Sequence, residues 1–280
     1  MGGYFGAVGK EDILTDVFFG VDYHSHLGTR SAGLAAFDTA KGLQRKIHNI
    51  GNSPFRTKFE KIRESMSGNA AIGCINDSDP QPLLVRSRLG TYAISFVGVI
   101  NNEEKLLEDY IEDTGTQVSA LSGGGVNSTE LLAALINRKS TFAKGIRFAQ
   151  ELIEGTALIL ILTDYGSIIA ARDRRGVLPI HIGRKEGAYC LSFEDFAYQK
   201  LDYQHEYELR AGEIVEITAD GYTVLAEGSE EMRICAFLWT YYGFPTACYE
   251  GINVEQMRCR NGEIMAQTEI DRGTRPHVDL

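Results

Sequence analysis

Small and apolar residues alternate over residues 3–8, the period of a short strand. Ile13, Leu14, Val17, Phe18 and Val21 then recur at helical spacing, which predicts a helix ending near His26, Leu27 and Gly28. Residues 31–37, 68–75 and 92–100 read as three strands, with a polar loop over 76–81 between the last two. Asn102-Glu-Glu-Lys opens an amphipathic helix reaching Asp113, and Asn127-Ser-Thr-Glu caps a second with Leu131, Leu132, Leu135 and Ile136 on its apolar face. A third helix is predicted over 141–153. The continuous apolar run 157–162, bounded by Asp164-Tyr-Gly, fits a strand buried on both faces and pairs with 167–171 as a hairpin. Strands at 179–182, 188–192, 213–217 and 222–225 follow, then an aromatic-dense stretch over 234–242 and a helix over 249–265. Strands, then helices, then strands, joined mainly by hairpins, predict an α+β fold of antiparallel sheets covered by helices.

Composition narrows the classes. With 28 Lys+Arg against 38 Asp+Glu the net charge is −10, and no run of basic residues compensates locally, so nucleic acid is not an expected partner. No apolar run reaches the roughly 18 residues of a membrane-spanning helix, and the start has no basic stretch leading into an apolar core. Gly6 stands where a myristoylation signal wants Ser or Thr. The cysteines at 74, 190, 235, 248 and 259 are odd in number and lack CxxC spacing, which suits reduced thiols and a cytoplasmic setting. Thirty glycines against six prolines imply many tight turns between packed strands.

Several residues invite a chemical reading beside a structural one. Cys74 is a candidate thiol nucleophile, or a small buried strand cysteine. His24 and His26 sit at i, i+2, with Asp16 and Asp22 nearby, a spacing that does not put two metal ligands on one helical face. The glycine-rich loop from Ser122 to Glu130 opens a helix and either cradles an anion or simply caps, without the Lys of a P-loop. Arg172-Asp-Arg-Arg175 reads as a solvated turn in which Asp173 bonds backbone amides.

Five segments in order, spread over nearly the whole chain, resemble the amino-terminal glutaminase domain of the amidophosphoribosyltransferase family. Met1-Gly-Gly-Tyr-Phe-Gly6 is similar to that family's Met-Cys-Gly-Ile-Phe-Gly, and His26-Leu-Gly-Thr-Arg-Ser-Ala-Gly33 to its His-Arg-Gly-Gln-Glu-Ser-Ala-Gly. Ala171-Arg-Asp-Arg-Arg-Gly-Val-Leu-Pro179 is similar to Ala-Arg-Asp-x-x-Gly-x-Arg-Pro, and Ala211-Gly-Glu213 to Pro-Gly-Glu. Cys235-Ala-Phe-Leu-Trp-Thr-Tyr-Tyr-Gly-Phe-Pro245, followed by Gly251-Ile-Asn-Val-Glu-Gln-Met-Arg258, completes the set. The resemblance implies the four-layer αββα sandwich of the N-terminal nucleophile hydrolases. It also implies a glutamine amidotransferase-like domain over 1–231 and a connector and helix over 232–280 leading into a phosphoribosyltransferase domain. For the intact protein it implies phosphoribosylamine formation at the first step of purine synthesis, Mg²⁺ in the second domain and homo-oligomers.

The same resemblance puts glutamine hydrolysis in doubt. The family's nucleophile, a cysteine exposed by removal of the initiator Met, falls at Gly2, which has no side chain with which to form a thioester. Its two substrate-binding arginines fall at Leu27 and Asn76, its oxyanion Asn-Gly pair at Val97-Gly98, and the acid that holds the substrate's α-ammonium at Ser128. Cys235 falls where a subgroup of the family supplies one of four thiolates to a 4Fe-4S cluster, the other three lying in the second domain. A pseudoenzyme domain, a regulatory or scaffold domain, and an amidotransferase with a relocated nucleophile such as Cys74 are the readings carried forward.

Overall fold

The computed structural model describes residues 2–116, 118 and 125–273. Thirteen strands make two sheets among these residues: β1 (Gly2–Gly9), β2 (Ser31–Asp38), β3 (Gly42–Asn49), β4 (Ala70–Asn76), β5 (Leu83–Ser87), β6 (Gly90–Ile100), β7 (Gly155–Thr163), β8 (Ile168–Ala171), β9 (His181–Lys185), β10 (Ala188–Ser192), β11 (Gln204–Glu208), β12 (Ile214–Thr218) and β13 (Gly221–Ala226). One sheet runs β11-β9-β10-β1-β4-β2-β3 and the other β13-β12-β8-β7-β6-β5, with antiparallel pairing throughout. Helices α1 (Leu14–Tyr23), α2 (Phe55–Ser65) and α6 (Asp195–Gln199) contribute to a core on the first sheet. Helices α3 (Glu103–Thr114), α4 (Ser128–Ile136) and α5 (Phe142–Leu152) cover the second. This is the expected α+β, four-layer αββα arrangement.

Period-2 patterning explains the layering. On β1, Tyr4 and Val8 join the core between the sheets, whereas Phe5 and Ala7 join the core under α1. Helix α1 lies close against β1 because residue 20 is glycine: a Cβ there would stand 2.2 Å from the Phe5 ring. Between the sheets, Gly6 brings β1 close to Ile168 of β8.

Some expectations change. The predicted helix over 249–265 begins later: Cys248–Tyr249 and Ile252–Asn253 form a two-stranded hairpin, and helix α7 runs Val254–Asp271. Glu250 (φ 47°) and Gly251 (φ 74°) take left-handed conformations that turn the hairpin, and the Asn253 side chain caps α7 by accepting from the Gln256 amide at 3.0 Å. The helix predicted to end near Gly28 stops at Tyr23, followed by a 3-10 turn at Ser25–Leu27. Residues 38–67, for which the pattern predicts no element, hold β3 and α2. Ser122 to Gly124 of the glycine-rich loop lie outside the described residues, as do 274–280. The segment after 232 shares the core: Leu238, Trp239, Ala247, Tyr249 and Val254 are buried in the cluster between the sheets.

Candidate functional site

One open end of the sandwich forms a cavity of about 440 Å³. The β1–β4 register sets Gly2 opposite Asn76, and the second sheet brings Val97 and Gly98 of β6 to the same space. The turn through Leu178 and the aromatic connector close it with Leu178, Cys235, Phe237 and Tyr242. Thus Gly2, Asn76, Val97, Gly98 and Cys235, widely separated in sequence, meet in one place. Leu27 does not line the cavity; it packs in the core beneath Gly3. Ser128 does not line it either: it sits in the first turn of α4, where its amide donates to Asp79 Oδ2 at 3.0 Å.

The walls are mostly unreactive. Gly98 approaches β7 so closely that a Cβ would lie 2.0 Å from the Thr156 carbonyl oxygen, which requires glycine. Beside it, Val97 presents no side-chain amide that could stabilise an oxyanion. Asn76 is buried and turned to local use, its Oδ1 accepting from the Ser78 amide at 2.9 Å. At Gly2 a Cβ would stand 2.9 Å from the Ile75 carbonyl oxygen, so any side chain there needs the strand to shift.

A residue of the polar loop over 76–81 braces this wall. Gln81 is fully buried; its Nε2 donates to the Phe96 carbonyl at 2.7 Å and its Oε1 accepts from the Phe96 amide at 2.6 Å. The side-chain amide thereby pairs with β6 as a neighbouring strand would. Substituting Gln81→Leu strands both Phe96 groups and should cost about 2–4 kcal/mol, seen as a lower melting temperature. An unchanged melt would mean that the groups find other partners.

Cys74 is not placed as a nucleophile: it is fully buried and burial pushes its thiol up to about 11. Cys235 is the one thiol lining the cavity among the described residues. A four-thiolate cluster does not fit the described residues alone, since none of their His, Cys, Asp and Glu side chains form a group of three able to hold a metal.

His24 and His26 serve the scaffold. His24 is buried, donates from Nδ1 to the Gly20 carbonyl at 2.7 Å and accepts at Nε2 from the Glu194 amide at 3.1 Å. His26 lies 2.9 Å from the buried Glu194 carboxylate, which also accepts from Tyr249 Oη at 2.6 Å and the Phe244 amide at 2.8 Å. This ties α1 to the connector. The Arg172-to-Arg175 turn is solvated only in part, which corrects the sequence reading. Asp173 does bond the amides of Arg175, Val177 and Leu178, but it is buried, and Arg172 is fully buried. Its guanidinium finds carbonyl acceptors and a carboxylate inside, which a surface turn would not supply.

Comparison with known proteins agrees with this geometry. A family model described as "Glutamine amidotransferase domain" matches residues 69–197. Amidophosphoribosyltransferase of Bacillus subtilis is 27% identical over 278 residues, covering 95% of this chain and 56% of that protein. The Methanocaldococcus jannaschii amidophosphoribosyltransferase is also 27% identical, over 95% of this chain and 61% of its own length. The solved B. subtilis glutamine phosphoribosylpyrophosphate amidotransferase, complexed with ADP and GMP, superposes with a TM-score of 0.82 at 27% identity, covering 95% of this chain and 58% of that one. A class-II glutamine aminotransferase domain protein from Silicibacter pomeroyi, at 14% identity and a TM-score of 0.53, shares the fold. The chain therefore carries a class II glutamine amidotransferase domain with the N-terminal nucleophile hydrolase fold. More particularly, it is similar to amidophosphoribosyltransferases over 95% of its own length, and it spans a little over half the length of those relatives. No helix among the described residues is long and apolar enough to cross a membrane.

Proposed function

We propose that this domain has lost glutamine hydrolysis and keeps the fold and cavity of a glutaminase as the amino-terminal part of an amidophosphoribosyltransferase-type protein of purine synthesis. The observation that carries the reading is the cavity itself: Gly2 stands where the resemblance puts the nucleophile, and Val97 where it puts the oxyanion amide. Acyl transfer needs a nucleophile beside a base and donors aimed at the developing oxyanion. Gly2 supplies neither thiol nor hydroxyl, and losing one oxyanion donor alone costs roughly 100-fold or more. An intact enzyme of this kind would take ammonia as its nitrogen donor, with phosphoribosyl transfer and Mg²⁺ belonging to a second domain in cis. The sequence carries a single position, Cys235, that suits a cluster completed from outside these residues.

The test is a glutaminase assay on the chain and on Gly2→Cys, with a thiol-directed glutamine analogue as probe. Both proteins should release no ammonia above background, because the thiol alone restores neither the oxyanion amide nor the substrate-binding charges and must displace the strand near Ile75. Turnover by Gly2→Cys would show that the rest of the site is intact, and glutamine-protected labelling of Cys74 or Cys235 in the native chain would show a relocated nucleophile.

A further inference from the structure

A second cleft, of about 800 Å³ and sharing no lining residue with the Gly2 cavity, lies between the turn at Arg174 and Arg175, helix α5 and the segment entering the connector. Arg147, Arg174, Arg175 and Arg233 all line it. Only Arg174 and Arg175 are neighbours in sequence, so no longer basic run announces the set, and the fold collects all four on a chain whose net charge is −10.

Three features keep these guanidinium groups open to a ligand. First, Asp173, the sequence neighbour that would neutralise Arg174 and Arg175, is turned inward onto backbone amides at 3.0–3.2 Å. Second, Arg147 is fixed rather than neutralised: it donates to the Glu227 carbonyl at 2.9 Å and to Gln150 Oε1 at 3.1 Å. Third, Gly212, at φ +71°, leaves the cleft floor clear, since a Cβ there would stand 3.1 Å from Arg147 Nη1. Glu227 and Glu231 also line the cleft, yet among the described residues neither forms an ion pair with these arginines. Four guanidinium groups against two carboxylates leave a local surplus of positive charge, with forked donors that match phosphate oxygens.

We propose that this cleft binds a pyrophosphate group, free or carried by a nucleoside. Two linked phosphates supply enough oxygens to engage several guanidinium groups at once, whereas one carboxylate engages a single fork.

The proposal is tested by calorimetric titration of the 280-residue chain with inorganic pyrophosphate, and in parallel with a nucleoside diphosphate, at low salt. Saturable binding is expected, weakening as salt rises. Replacing Arg174, Arg175 and Arg233 together by Ala should weaken it by on the order of tenfold or more while leaving the melting temperature in place, because these side chains are exposed and unpaired. Glu227→Gln with Glu231→Gln should strengthen it. Tighter binding of the nucleoside diphosphate assigns the group to a nucleotide, and equal binding assigns it to pyrophosphate itself. Absence of binding at millimolar pyrophosphate, binding untouched by the triple substitution, or citrate or an acidic peptide binding as well as pyrophosphate would each overturn it.

Discussion

Replacing Arg172 by Ala should destabilise the domain by about 3–5 kcal/mol, the cost of leaving a buried ionic network without one partner. Fully buried at the end of β8, Arg172 donates to the carbonyls of Leu178, Leu209 and Gly176 and, at 2.7 Å, to Glu250 Oε1. One side chain thus joins the 172–178 turn, the end of β11 and the connector hairpin. Lys should rescue little, because a single ammonium cannot reproduce the flat fork that meets acceptors in several directions. For a chain of this size the loss corresponds to a melting temperature lower by on the order of 10 °C. Arg174→Ala, two residues along and exposed, should stay within about 0.5 kcal/mol. Equal melts for the two variants would contradict the buried network.

The second large effect is acid instability. Burial holds His24 down to about 4 and His181 down to about 3, the latter also opposed by the charges of His205 and Arg172. Both rings are neutral in the folded state, while the unfolded chain takes up their protons below the ordinary histidine value of about 6.5. The unfolded state therefore binds more protons, and stability must fall as pH drops from about 6.5 towards 4, each group contributing up to about 1.4 kcal/mol per pH unit. Glu208 acts in the opposite sense. Burial and the neighbouring Glu250 carboxylate raise its pKa, so its share of stability declines as pH rises above the ordinary carboxylate range. Urea unfolding between pH 4.5 and 7 should show the acid loss, with a shallower slope in His181→Leu, whose wild-type ring nitrogens have no hydrogen-bond partner to forfeit. An identical slope would mean that His181 is not held neutral.

The sequence made the layers legible where burial is one-sided or complete. The apolar run 157–162 lies within β7, and Leu131, Leu132, Leu135 and Ile136 are the buried face of α4. It hid β3 because that edge strand is largely exposed, and Gln44, Arg45, Lys46, His48 and Asn49 blunt its edge with polar groups instead of showing a period of two. Helix α2 carried a readable signal, Phe55, Phe59 and Ile62 at i, i+4 and i+7 within a polar segment. Of the site, the motifs pointed to Gly2, Asn76 and Val97-Gly98, which the fold does bring together. Cys235, which a motif marked only as a cluster ligand, joins them from more than 130 residues away in sequence, and Gln81 acts through a side-chain amide that imitates a strand, a role with no local pattern. Arg172 was hidden for a related reason: a charged turn looks the same in sequence whether its acceptors are water or carbonyls.

Because the first residue of β1 is itself a wall of the Gly2 cavity, whatever is attached at that residue is a gatekeeper for that space. An affinity tag or fusion partner joined there would continue from Gly2 at the cavity wall and compete with small molecules for it, mimicking an empty or blocked site in any screen. Ligand searches at this cavity call for nothing added at Gly2, with labels carried instead on α7, whose first residue Val254 is buried but whose later turns face solvent.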